Sequence, residues 1–114
     1  GRNVFAEDIE SMTLASQPPG RFDGVAAIGL DAGGSQQLCL LIELCRRGAP
    51  VDVPTLNTAI IAGLGVKPSR IVQLCWGSLP RTSSGKIRRN LAREKLLNGA
   101  LKSRVIEDVS QTAN

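Results

Sequence analysis

A chain of 114 residues that is 42% hydrophobic is sized for one packed core, and is too small to enclose both a substrate cleft and a nucleotide site of its own. It is therefore expected to act as part of something larger. With three cysteines and no histidine, histidine-based triads and zinc clusters of familiar spacing are excluded, and Cys39, Cys45 and Cys75, all in apolar segments, read as reduced core residues.

Phe5, Ile9 and Met12 recur at helical spacing, which predicts a short helix over residues 6–15 with Glu7, Asp8 and Glu10 near its positive N-terminal end. Proline and glycine make residues 17–24 a loop, and Val25 to Leu30 then reads as a strand. Asp31-Ala-Gly-Gly predicts a hairpin turn into Gln37 to Cys45, a nearly continuous apolar run of the kind covered on both faces. Its longest uninterrupted apolar stretch, Leu38 to Ile42, is far too short to span a bilayer. The polar, acidic N-terminal stretch does not read as a signal peptide, so a cytoplasmic location is the expectation.

Asp52 is placed to cap a helix from about Val53, with Pro54 in its first turn and Gly65 as its stop. Ile71 to Trp76 reads as a third strand, and a last helix is expected from near Ile87 to Asn98-Gly99. Three strands among three helices predict an α+β fold: a small three-stranded antiparallel sheet flanked by helices, occupying residues 1–105, with residues 106–114 as a frayed tail.

Charge is divided unevenly. Residues 1–66 carry four basic groups against seven acidic, whereas residues 67–114 carry ten basic against three acidic. The positive end centres on Leu79 to Arg88, LPRTSSGKIR, a polar and flexible loop that delivers Lys86 just before a basic helix. A phosphate-cradling P-loop is ruled out, because Pro80 occupies the first glycine position and has no N–H to donate, and Ile87 follows Lys86 where a hydroxyl is required. What remains is three hydroxyls (Thr82, Ser83, Ser84), a permissive Gly85, and a long cation suited to an anion supplied from elsewhere. A basic nucleic-acid-binding module is a rival reading of the same charge. The 3% aromatic content, with Phe5, Phe22 and Trp76 alone, offers no stacking platform and argues against it.

Pro80 to Lys86 resembles the P-x-T-x-[ST]-G-K motif of the adenylate-forming superfamily, the acyl- and aryl-CoA synthetases, peptide-synthetase adenylation domains and luciferases. Gly1 to Glu10, GRNVFAEDIE, resembles the segment just after that family's interdomain hinge, in a form most similar to the fatty acyl-AMP ligases. Ala6, Phe5 and Arg81 depart mildly from the usual proline, tyrosine and lysine.

The resemblance implies the small C-terminal domain of a larger ligase that activates a long-chain fatty acid with ATP and Mg2+, both held mainly by an N-terminal domain. No cofactor or metal site is expected in this chain itself. Lys86 would be the catalytic lysine, with Thr82, Ser83, Ser84 and Gly85 shaping its loop. Gly1 and Asn3 would lie near a thiol tunnel. Arg88, Arg89 and Arg93 are candidates for docking an acyl carrier protein, the acceptor that the family resemblance implies. The nearer alternative is the corresponding domain of a fatty acyl-CoA ligase, whose distinguishing feature would lie in the large domain.

Overall fold

The computed structural model describes residues 5–18, 20, 22–46, 51–101 and 103–107, the last five by backbone alone. Helix α1 (Ala6–Ala15) forms where the periodicity placed it, and the Asp8 carboxylate accepts from the Phe5 N–H at 3.4 Å at its start. Strands β1 (Phe22–Ala32) and β2 (Ser35–Leu44) pair antiparallel around Gly33 and Gly34, whose φ values of 59° and 87° are those of a tight hairpin turn. Strand β1 thus begins within the segment expected as a loop, and its register slips between Phe22 and Gly24. Helix α2 (Val53–Leu64) is capped by Asp52, whose carboxylate accepts from the Thr55 N–H at 3.2 Å, and is ended by Gly65 in the left-handed region. Strand β3 (Arg70–Leu74), helix α3 (Arg89–Leu97) and strand β4 (Ser103–Glu107) complete the described elements.

The α+β expectation holds, and the sheet differs from the one expected. Its order is β1-β2-β3-β4, with β2 and β3 parallel and the two outer pairings antiparallel, so it is mixed and has four strands among the described residues. The parallel pair follows from chain geometry: α2 carries the chain back along the sheet, so β3 re-enters in the same direction as β2. Strand β4 runs to Glu107, so the boundary drawn after residue 105 falls inside a strand; residues 108–114 lie outside the described residues.

Alternation along the strands creates two cores. Val25, Ala27, Leu40, Ile42, Leu44 and Ile71 meet Ile9 of α1 and Leu56 and Ile60 of α2 on one face. On the other, Ala26, Ile28, Cys39, Leu41, Val72 and Leu74 meet Leu79 and Ala92 of α3. Each fully buried Leu or Ile contributes about 1.5–3 kcal/mol of hydrophobic free energy, which holds the sheet between its helices as one frame. Of the cysteines, Cys39 is buried, while Cys45 and Cys75 at the strand ends are half-buried, which corrects the expectation that all three lie in the core. Among the described residues no helix is long and apolar enough to cross a membrane.

Candidate functional site

The segment between β3 and α3 is built on the second of these faces. Leu79 is buried in the core and fixes where the segment leaves the sheet. Beyond it, Arg81 and Ile87 form a β-bridge, and the Arg88 N–H donates to the Pro80 carbonyl at 2.9 Å. Inside that bridge the turn closes on itself. The Thr82 N–H donates to the Lys86 carbonyl at 2.8 Å, and the Gly85 N–H donates to the Thr82 carbonyl at 2.9 Å. The Thr82 hydroxyl accepts from the Lys86 N–H at 3.2 Å and lies 3.0 Å from the Ser84 hydroxyl. Gly85 has φ 91°, a conformation that a residue with a Cβ adopts only under strain.

Composition predicts a polar loop here, and the segment takes the form of a hydrogen-bonded hairpin. Three of its amides are taken up by the turn itself. The N–H groups of Thr82, Gly85 and Lys86 are engaged within the turn, so they form no anion cradle, in agreement with the failed P-loop pattern. Thr82 organises the turn with its hydroxyl and Gly85 with its backbone freedom. Ser84 contributes one contact, and Ser83 is exposed at the tip.

Lys86 stands on the outgoing arm of this hairpin, exposed. Among the described residues no carboxylate forms an ion pair with its ammonium. Two neighbouring arginines are in the opposite condition. Arg81 donates to the Glu43 Oε1 at 2.7 Å, to the Asp23 carbonyl at 3.0 Å and to the Gly85 carbonyl at 3.3 Å. Glu43 itself is only 1% exposed, and its Oε2 accepts from the Leu79 N–H at 3.0 Å.

Arg89 makes a two-pronged contact with Glu10 at 2.8 and 2.7 Å and approaches Glu7 at 3.2 Å. The hydrogen bonds with Glu10 hold the Arg89 guanidinium above its ordinary pKa, and the charges of Glu10 and Glu7 add to this against the opposing effect of burial. Glu10 Oε2 also accepts from the Ala27 N–H at 2.9 Å, covering an outward donor of the edge strand β1.

Of the three candidate docking arginines, Arg88 and Arg93 are exposed, whereas Arg89 is paired with Glu7 and Glu10 of α1. Gly1 and Asn3 lie outside the described residues. Trp76 is half-exposed, and the Arg46 guanidinium lies 4.5 Å from its ring centroid.

Sequence reasoning missed the Glu43 and Arg81 pair. Its signal was Glu43 itself, a carboxylate inside a run read as covered on both faces, which requires a buried partner.

Residues 82–86 are all exposed, so the lysine turn lies at the surface. Chemistry there needs a complementary surface from outside the described residues. Among the described residues no group of three or more His, Cys, Asp or Glu side chains is placed to hold a metal ion.

No protein-family model matches the sequence. The chain is 31% identical over 106 residues to the medium-chain-fatty-acid–[acyl-carrier-protein] ligase JamA of Moorena producens, a match covering 89% of this chain and 18% of that protein. It is 36% identical over 98 residues to the long-chain-fatty-acid–AMP ligase FadD26 of Mycobacterium marinum, covering 78% of this chain and 16% of that one. The crystal structure of a fatty acid AMP ligase from Legionella pneumophila shares the fold, with a TM-score of 0.74 at 22% identity over 92% of this chain and 19% of the other. The chain thus spans under a fifth of the length of these relatives.

Proposed function

We propose that this chain, which belongs to the adenylate-forming superfamily as a C-terminal domain related to the fatty acyl-AMP ligases, supplies the catalytic lysine of a fatty acyl-AMP ligase. The observation that carries the reading is the contrast on one surface: Arg81 and Arg89 are paired within the domain, while Lys86 is raised on a closed hairpin with no carboxylate partner among the described residues. The partner of Lys86 is then the reaction itself.

Adenylation is attack of a fatty-acid carboxylate on the α-phosphorus of ATP, with loss of pyrophosphate. Both reactants are anions, so an ammonium held between carboxylate and α-phosphate lowers the barrier by positioning and by stabilising the charge that develops. No proton transfer is required of Lys86, since the carboxylate is already ionised at neutral pH. The acyl and nucleotide pockets belong to the large N-terminal domain. Mg2+ would be bound there as well. After adenylation the small domain turns to present its Gly1 to Glu10 side, with Gly1 and Asn3 beside the incoming thiol.

The acceptor is an acyl carrier protein, a reading supported by the name of the JamA relative and by the exposed cations Arg88 and Arg93. Supplying the full enzyme with ATP, a long-chain fatty acid, and either CoA or a phosphopantetheinylated carrier protein tests it. Acylation of the carrier with little acylation of CoA is expected. Efficient acylation of CoA would make the enzyme a fatty acyl-CoA ligase instead.

A further inference from the structure

Glu43 poses a problem that the adenylation chemistry does not answer. It lies in the central strand β2, between Ile42 and Leu44, both fully buried. An apolar residue there would satisfy the core at least as well, because taking a carboxylate out of water costs several kcal/mol and a buried ion pair seldom more than recovers it. The position of its partners shows what the charge specifies.

One carboxylate oxygen receives the Leu79 N–H, where the chain leaves the sheet, and the other receives the Arg81 guanidinium, at the foot of the hairpin. That guanidinium continues to the Asp23 carbonyl on β1 and the Gly85 carbonyl, the residue immediately before Lys86. Space for it is provided by Gly24. A Cβ at that position would lie 2.5 Å from the Arg81 Nη2 and 3.2 Å from the Ile87 Cδ1. Three segments, β1, β2 and the connection from β3 to α3, therefore converge on one ion pair, and its far end grips the backbone that carries Lys86.

We propose that Glu43 is a positioning residue for adenylation: acting through Arg81, it fixes the lysine hairpin against the sheet and so sets where the Lys86 ammonium is presented. The proposal rests on the reading of Lys86 given above. A hairpin held only by its own turn bonds could tilt about the bridge between Arg81 and Ile87, and small displacements of a reacting group are costly.

The test uses the full enzyme, with kcat and KM for acyl-adenylate formation followed by pyrophosphate release, and with transfer from presynthesised acyl-AMP measured separately. Glu43→Gln keeps an acceptor for Leu79 but removes the charge that holds Arg81. It is expected to lower the adenylation kcat about tenfold, short of the hundredfold that misplacing a reacting group can reach. KM for ATP and transfer from acyl-AMP are expected to be unchanged, and in a Lys86→Ala background Glu43→Gln should produce no further loss. Gly24→Ala, which displaces the guanidinium and leaves Glu43 intact, should lower kcat in the same direction. It decides the matter if Glu43→Gln fails to fold.

A folded Glu43→Gln enzyme with unchanged adenylation, an equal loss in both half-reactions, or a loss that adds in full to that of Lys86→Ala would overturn the positioning role. So would an unchanged kcat in Gly24→Ala. Normal adenylation by Lys86→Ala would instead overturn the reading of the lysine. An inactive Lys86→Ala beside a fully active Glu43→Gln would remove the positioning role alone.

Discussion

Cations on this domain differ in what surrounds them more than in their chemistry. Arg89 meets two carboxylates of α1 and is held above its ordinary pKa, so it is charged wherever the protein is folded. The sign of its linkage follows. A raised folded pKa contributes stability that is fully present below the unfolded value and is lost only as the pH rises through the folded one, at strongly alkaline pH. Replacing Arg89 with methionine is therefore expected to cost about 1 kcal/mol, since its side chain is 38% exposed and screened by solvent, and to cost the same from neutrality to about pH 9. Urea unfolding of the two proteins at several pH values checks this. A cost that vanishes on mild alkalinisation would show that another group carries the interaction.

Element by element, local chemistry was legible and long-range pairing was not. The bounds of α1, the Gly33-Gly34 turn, and the Asp52 cap and Gly65 stop of α2 all follow from residues within a few positions of one another. Strand β4, in contrast, straddles the boundary drawn after residue 105 and is not marked by any local signal; its pairing with β3 makes it a strand. The direction of β3 depended on where α2 delivers it. The Arg81 to Glu43 and Arg89 to Glu10 contacts join positions 38 and 79 residues apart, beyond the reach of any periodicity. The lysine segment reads as a polar loop because its residue types favour turns, whereas its hairpin form comes from which donors meet which acceptors. The α2 cap supports a quantitative expectation: Asp52 accepts from both the amide and the hydroxyl of Thr55, and Asp52→Ala should cost about 1 kcal/mol, read by chemical denaturation. No loss of stability would mean that the cap is replaced by solvent at no cost.

At the scale of the molecule, a sheet covered on both faces carries α1 on one side and the lysine hairpin with α3 on the other. The Glu10 to Arg89 contact joins the two sides, and Glu10 also covers the outward Ala27 amide on β1. Under the proposed function such a frame would turn as a unit, presenting the hairpin for adenylation and the α1 side for transfer. Because the lysine hairpin is exposed and the acyl and nucleotide pockets are assigned to another domain, the 114-residue domain alone is expected to form no acyl-adenylate. Pyrophosphate exchange into ATP by the purified domain would contradict that.

Under the proposed function Lys86 acts in the first half-reaction and not in the second, and Lys86→Ala in the full enzyme separates the two. Adenylation is expected to slow by about 2.7–4 kcal/mol of barrier, in line with the loss of one charge-stabilising donor. Transfer from presynthesised acyl-AMP is expected to proceed at the unmodified rate. Equal loss in both half-reactions, or adenylation at full speed, would contradict the account.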